Sequence, residues 1–379
     1  MMKYILCLCS FLMLANMTAC QNNPAKPVKM HSINIEQKSG EFYIQQAKLW
    51  KIVVDKTPTD AAAWLNYYIA SRYSRIFGQV QNSAEKDIVA AVAKAIPNSF
   101  ENHLIQHWAD VWNPDNAEHL KKAYEIDPDR PETYRSLAQN AELKRDLPTV
   151  KKFMTKVYKS EYYSKAMLAW NYNLLQSVSK DGILITYGDN DTYPGMMLQH
   201  AKGVRNDVLL LNIHLLQNLD YANRIFKELK IPAFTGGADD KDLQKNLINH
   251  LIKNSDKALH FSTTTSPTLR GNFEDNLYLT GLTYQYSEKQ FDNIAVIKNN
   301  FNHKFVLDYI IKPVGYDRGQ EMVDHVNMTY IPSLFLLHKH YSKSGDKTEA
   351  QAIRALILLI GKANGKEENF KGFFKNDDC

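Results

Sequence analysis

Cysteine is scarce: the 379-residue chain has four, Cys7, Cys9, Cys20 and Cys379. Two sit in an N-terminal apolar run, one follows that run, and one is the last residue. No pair is left inside a folded body, so a disulfide framework is excluded and stability must come from burial. Roughly 350 residues after the apolar run suffice for two or three cored domains. A charge excess of one sign is also lacking. Lys and Arg number 46 against 41 Asp and Glu, a net +5, and the two signs are interspersed. That distribution argues against a nucleic-acid surface. HExxH, CxxC and GxSxG patterns are absent, so zinc-protease, thiol-redox and serine-hydrolase chemistry lack support. No Gly-rich run with a Lys to grip phosphates occurs either, and no cofactor is expected. Beyond the N-terminus no apolar run reaches the length of a membrane span, about 20 residues.

The N-terminus itself is informative. Met1-Met2-Lys3 precedes an apolar stretch from Tyr4 to Ala15, then Met17-Thr18-Ala19-Cys20. One positive charge, a short apolar run and small residues before a cut site are the parts of an export signal. Small residues directly before a cysteine add a lipoprotein reading, although Met17 stands where Leu is expected. An ordinary cleaved signal with a chance cysteine is the competing account. The expectation is a signal peptide over 1–19 and a lipidated Cys20 held in the bilayer of a bacterial envelope. Gln21, in place of Asp, favours the outer membrane. Residues 21–40 are polar and Pro-containing, and together with Cys20 (residues 20–40) they read as a flexible tether.

From 41 to 179 the pattern is helical. Three breaks recur: Thr57-Pro58-Thr59-Asp60, Ile96-Pro97-Asn98-Ser99 and Asp127-Pro128-Asp129. Each places an aromatic or imidazole ring six residues after the proline: Trp64, His103 and Tyr134. The spacings bracket the period of about 34 residues typical of helical hairpin repeats. In the clearest unit Tyr134, Leu137, Ala138 and Ala141 share one helical face, and Val150, Phe153, Met154 and Val157 share another. These units resemble the tetratricopeptide family, with an irregular helical bundle as the alternative. Such repeats imply a surface for a protein partner. The aromatics Tyr67, Tyr68, Tyr162, Tyr163, Trp170 and Tyr172 read as core and groove lining, and His103, His107 and His119 as parts of the helical layer. His338 and His340, two apart on a helix, diverge.

At Lys180 the pattern changes. Apolar runs at 182–187, 207–213 and 258–263 alternate with helices near 193–202, 221–229 and 243–253, the signature of parallel β-α-β construction. A further run, 277–286, supplies a fourth strand. Residues 180–300 are thus expected to form a small three-layer α/β domain with a mostly parallel sheet. Residues 301–379 return to helix, with a hairpin of 327–342 and 347–363 turning at Ser344-Gly345-Asp346. The fold class expected is α+β multidomain: helical repeats, an α/β domain and a C-terminal helical hairpin.

The candidate site is the block Gly188-Asp189-Asn190-Asp191-Thr192. It lies where the first strand ends and a helix begins, the place where open α/β sheets bind ligands. Two carboxylates one residue apart suit a cation or sugar hydroxyls. Helix capping explains the same residues, with Gly188 allowing a turn and Pro194 opening a helix. A second cluster after the third strand offers Arg270 for an anion and Glu274 and Asp275 to complete an acidic site; a solvated loop is the alternative. Arg205 and Asp207 fall at the opposite sheet edge and read as structural.

The stretches ILITYGDNDTYPGMMLQHAKGVRNDVLLLNIHLLQ and ALHFSTTTSPTLRGNFEDNLYLTGLTYQYS together resemble a known domain. It is the soluble C-terminal region of bacterial multi-pass membrane proteins of the protein O-mannosyltransferase type. The shared pattern comprises Gly188 to Pro194, Gly203 to Val208, Glu274-Asp275 and Gly281 to Tyr284, and it covers roughly 180–365. The membrane-embedded half that would perform sugar transfer has no counterpart here, so the resemblance implies a domain and no transferase activity. Two functions compete. One is a non-catalytic, membrane-anchored binding or scaffold protein, with a protein partner on the repeats and a small polar or glycan ligand at the loop. The other is an envelope enzyme acting on glycans or glycoproteins, with Asp189, Asp191, Glu274 or Asp275 as metal ligands or acid/base groups. The first is preferred, since no nucleophile–base pairing is visible.

Overall fold

Asp60 and Ser99 stand two residues after Pro58 and Pro97, and each side chain accepts the main-chain N–H three residues on, starting a helix. In the computed structural model, which describes residues 26–81, 84–111, 113, 115–312 and 319–374, these caps open two helices of a stacked helical layer. The signal peptide, Cys20 and Cys379 lie outside the described residues. The layer comprises α1 (Gly40–Lys56), α2 (Ala61–Gly78), α3 (Glu85–Ala95), α4 (Phe100–Ala109), α5 (Asn116–Ile126), α6 (Tyr134–Leu143), α7 (Leu147–Lys159) and α8 (Lys165–Gln176). Neighbours α1/α2, α4/α5 and α6/α7 pack as hairpins. The proline breaks have a common bond. Trp64 Nε1 donates to Pro58 O at 2.8 Å and Tyr134 Oη to Pro128 O at 3.0 Å. In the middle unit Asn102 Nδ2 takes that role on Pro97 O, and His103 instead meets His119 of the next helix, 2.8 Å between Nδ1 atoms. The helical-repeat expectation holds, with Asn102 in place of His103 as the third repeated donor.

The tether expectation is corrected from Val28 onward. Val28 N–H donates to Gln46, Met30 N–H to Asn66 and Ile33 N–H to Tyr73 Oη, while Met30 is buried. Those bonds fasten residues 28–33 onto α1 and α2. A polar sequence lacking a period does not reveal such a strap, because its anchors are main-chain groups.

After α8 come β1 (Ile183–Thr186), α9 (Asp189–Lys202), β2 (Leu209–Asn212), α10 (Ile213–Leu216), α11 (Leu219–Glu228), α12 (Leu243–Asn254) and β3 (Leu259–Ser262). Then follow α13 (Pro267–Gly271), β4 (Leu277–Leu279) and β5 (Thr283–Tyr286). The five strands are ordered β2-β1-β3-β5-β4. β1 runs parallel to β2 and β3, whereas β3/β5 and β5/β4 are antiparallel. The sheet is therefore mixed, and the single strand expected over 277–286 is a hairpin. Gly281, at φ 121°, permits the reversal, and a Cβ there would meet Phe305 and Ser177 Oγ at 2.8 Å.

The sheet is covered on both faces. Leu184 and Leu210 face α8, α9 and the C-terminal helices. Ile183, Ile185, Leu211, Leu259 and Phe261 face α11 and α12. Burial on two faces explains why β1 and β2 read as continuous apolar runs. The C-terminal region holds α14 (Asn293–Asn299), α15 (Asp308–Ile311), α16 (Gln320–Asn327), α17 (Ile331–Ser344), α18 (Lys347–Ala363) and α19 (Glu367–Phe373). α17 and α18 turn at Gly345, φ 78°, with Asp346 capping α18. The helix expected from 327 starts later, at Ile331 after a 3-10 turn, with Pro332 in its first turn. The cores cut across the expected boundary at 179/180. Tyr134 to Leu175 share one cluster with Leu184, Met196, Tyr330 and Ile357, while α1–α4 have a core of their own. No helix among the described residues is long and apolar enough to cross a membrane.

Candidate functional site

β1 is the switch point of the sheet. The connection through α9 leads to β2 on one side, and the chain then crosses back to β3 on the other. The carboxyl ends of β1 and β3 thus flank the crevice where open α/β sheets place ligands. Gly188 to Thr192 leaves β1 there, and Thr263 to Ser266 leaves β3.

The inner half of the loop is taken up by the fold. Asp191, 2 % exposed, accepts Gly188 N–H at 2.8 Å through Oδ1 and Tyr187 N–H at 2.9 Å through Oδ2. The Thr264 hydroxyl donates to the same Oδ2, tying the two strand exits together. Burial raises the Asp191 pKa, against the lowering effect of these donors. Thr192 is fully buried; its hydroxyl lies 2.6 Å from Gly188 O and 2.7 Å from Thr186 Oγ1, and it receives Asn212 Nδ2 at 2.9 Å. Asn212 in turn caps α10. α9 begins at Asp189, earlier than the expected Tyr193, which puts Pro194 in its second turn. Pro194 cannot donate to Asn190 O, and Asn171 Nδ2 of α8 fills that place at 2.8 Å.

The outer half is different. Asp189 is exposed and ion-paired with Arg135 of α6, across the junction between the helical layer and the α/β domain. The Arg135 guanidinium lies 4.9 Å from the Tyr193 ring, and Tyr193 Oη donates to Gln139, also on α6. Tyr163, between α7 and α8, is buried with its hydroxyl beside this group. Neither Tyr163 Oη nor Asn190 Oδ1 has a hydrogen-bond partner among the described residues. A buried polar atom left so costs roughly 1–3 kcal/mol. The two atoms therefore mark where a polar partner would be favoured.

The second polar cluster does not complete an acidic site. Arg270, read as an anion binder, donates to Thr263 O and Thr265 O at 2.8 Å each and stacks on Tyr284. It shapes the turn that presents Thr264 to Asp191. Glu274 and Asp275 are exposed on a 3-10 turn. Among the described residues no three His, Cys, Asp or Glu side chains could hold a metal ion together. Of the four carboxylates weighed for an acidic site, Asp191 is buried as a structural tie, while Asp189, Glu274 and Asp275 are exposed, as the solvated-loop alternative has it for the last two. Arg205 is structural as read: it donates to Leu175 O, Val178 O and Ser179 O and pairs with Asp207.

Sequence reasoning missed Arg135, Gln139, Tyr163 and Thr264. The run Thr263-Thr264-Thr265 at the end of an apolar strand was the only hint of the last. It also missed His260, buried in β3 between Ser179 Oγ at 2.9 Å and Thr283 Oγ1 at 3.1 Å. Burial pulls its pKa down to about 3, helped by Arg205, so the ring is neutral and serves as a core hydrogen-bonding group.

Residues 167–230 match the family model of the TMEM260-associated domain 2. That segment runs from α8 through the Gly188–Thr192 loop to the end of α11. Among solved structures the chain is similar to yeast Tom70, with 11% identity and a TM-score of 0.28, over 89% of this chain and 59% of that one. The chain thus spans less than two thirds of the length of Tom70. No curated protein matches it.

Proposed function

We propose that this chain is a lipid-anchored binding or scaffold protein of the bacterial cell envelope, with Cys20 as the anchored residue. Its helical repeats hold a protein partner, and the outer half of the Gly188–Thr192 loop takes a small polar ligand, a glycan among them. The observation that carries the reading is the Arg135–Asp189 pair with two orphaned polar atoms beside it. A sugar that displaced the Arg135–Asp189 pair would bring hydroxyl donors towards Asn190 Oδ1 and Tyr163 Oη, both buried beneath it. The resemblance of 180–365 to the soluble region of O-mannosyltransferase-type membrane proteins supports an envelope setting. The N-terminal sequence supports the anchor.

A thermal-shift series with mono- and oligosaccharides on the chain from Gln21 tests the loop. A ligand that raises the melting temperature of wild type should lose that effect in Arg135→Ala/Asp189→Ala. An equal shift in both proteins rules the loop out. Labelling with radioactive palmitate tests the anchor: signal persisting in Cys20→Ser would sink it.

A further inference from the structure

The strap that fastens residues 28–33 onto α1 and α2 shortens the link between Cys20 and the folded body. Lys26 is the first described residue, six residues after Cys20, and six extended residues reach about 20 Å. A tether running on to residue 40 would reach about 70 Å and let any side of the body meet a bilayer. At about 20 Å, less than the length of α1 at about 25 Å, only the side on which the strap begins lies against the membrane.

That side has the residue types of an interfacial surface. Val28 N–H donates to Gln46 Oε1, and Trp50 Nε1 donates to Val28 O, both at 2.9 Å. About a quarter-turn round α1 from Gln46 and Trp50 come Leu49, Ile52 and Lys56, which share a stripe at i, i+3 and i+7. Val28 is 46% and Ile52 50% exposed. Lys26, Lys29 and Lys56 are exposed and have no ion-pair partner among the described residues. The acids nearby are held elsewhere. Glu36 pairs with Lys38, Asp55 pairs with Lys51, and Asp60 caps α2. Asp87 stands by Tyr67 on the Lys51 flank of α1, and Glu41 lies at the end of α1 remote from Lys56. Residues 26–60 hold six lysines against four acids, so the balance on this face is basic. Exposed aliphatic side chains and an indole among lysines suit a membrane–water interface, where apolar groups enter the headgroup layer and ammonium groups meet lipid phosphates.

We infer that the face formed by Lys26, Val28, Lys29, Ile52 and Lys56 rests on the anionic surface of the bilayer that holds Cys20. The inference rests on the reading of Cys20 as the anchored residue, and adds to it which side of the body meets the lipid. The strap sets the orientation, and the lysines and aliphatic tips supply a second contact beside the acyl anchor.

The test uses the chain from Cys20 with Cys379→Ser, coupled at its remaining thiol to a tetradecyl maleimide. A single acyl chain binds membranes only marginally, so a second contact is visible. Partition is measured by co-sedimentation on vesicles of equimolar phosphatidylcholine and phosphatidylglycerol, and on phosphatidylcholine alone. Lys26→Glu/Lys29→Glu/Lys56→Glu should weaken partition onto the anionic vesicles by about fivefold per lysine, and leave partition onto phosphatidylcholine unchanged. Lys227→Glu/Lys241→Glu/Lys253→Glu makes the same charge change at exposed positions of the α/β domain and should stay near wild type. Equal loss in the two variants, or no loss in either, overturns the inference. Lysine acetylation read by mass spectrometry is the second measure: on anionic vesicles Lys56 should be protected several-fold and Lys253 should not. Lys56 as reactive on the vesicle as in solution overturns the inference too. The lipid is attached chemically, so these results do not depend on lipidation in the cell, which the palmitate label tests separately.

Discussion

Replacing Asp191 tests whether the inner half of the loop holds the two strand exits together. The carboxylate accepts Tyr187 N–H, Gly188 N–H and the Thr264 hydroxyl. Asp191→Ala takes the acceptor from two part-buried main-chain N–H groups and the Thr264 hydroxyl, so a loss of about 2–4 kcal/mol is expected at roughly 1 kcal/mol per bond. Asp191→Asn keeps the shape but turns one oxygen into an NH₂ facing a donor, for about 2 kcal/mol. Urea unfolding gives both values if the slope m is unchanged. The pH dependence adds a sign. Burial raises the Asp191 pKa above its ordinary 3.8, so the folded state takes up the proton at a higher pH than the unfolded chain does. Stability from this group therefore rises as pH falls through the folded value and levels off below the unfolded one. Asp191→Asn does not titrate, and the other groups cancel in the difference. The gap between wild type and Asp191→Asn should widen from about pH 7 to about pH 4. A gap that narrows refutes the account, as does an Asp191→Ala loss within about 0.5 kcal/mol, the range of an ordinary surface change.

His260→Gln should flatten the acid limb of stability. The folded ring resists protonation down to about 3, so wild type loses up to about 1.4 kcal/mol per pH unit below the ordinary histidine value, and an unchanged limb contradicts this. Arg205→Ala uncovers three carbonyls and should cost about 2–4 kcal/mol in urea unfolding. Arg205 holds the Asp207 carboxyl well below the usual range. Its contribution is present above the ordinary carboxylate pKa and is lost on acidification, so the Arg205→Ala deficit should shrink at low pH. Gly195→Ala places a Cβ 2.8 Å from Leu210 Cδ1 and should cost about 1–3 kcal/mol by thermal melting. Tyr134→Phe removes the bond to Pro128 O and should cost about 1 kcal/mol in the same assay.

How far the sequence shows the fold depends on which groups carry each feature. β1 and β2 were legible because burial on both faces makes residues 183–185 and 209–211 continuous apolar runs, and β3 because Leu259 and Phe261 alternate with the buried His260 and Ser262. The helical repeats were legible because Asp60, Ser99 and their prolines are local signals. The strap at 28–33 was not, since Met30 reaches Asn66 through its main chain. Nor was the shared core: the apolar faces of α6, α7 and α8 reveal that they are buried, not that they pack on Leu184 and the C-terminal helices. The site was half legible. Asp191 and Thr192 were singled out from loop chemistry as ligand-binding or capping residues and are taken up by the fold, whereas Arg135 is 54 residues from Asp189 in sequence, and nothing local links them.

The Gly188–Thr192 loop also shows why capping and ligand binding were hard to separate from the sequence. Cap residues would satisfy only the first turn of α9, yet each residue of the block has a distinct partner. Asp191 holds the N–H groups of Tyr187 and Gly188, Thr192 joins β1 to Asn212 of β2, and Asn190 O is served by Asn171 because Pro194 follows four residues on. With those duties met by Asp191 and Thr192, Asp189 has no role in the sheet and turns outward to α6. The fold fixes the position of Asp189 through its neighbours while leaving its carboxylate on the exposed side of the junction. A ligand that broke the Arg135–Asp189 pair would therefore meet a preset site without disturbing the switch point of the sheet. Sugar binding at this loop should accordingly leave the exchange rates of the Tyr187 and Gly188 amides unchanged, since both stay bonded to Asp191; faster exchange on binding would show that the two halves of the loop are coupled.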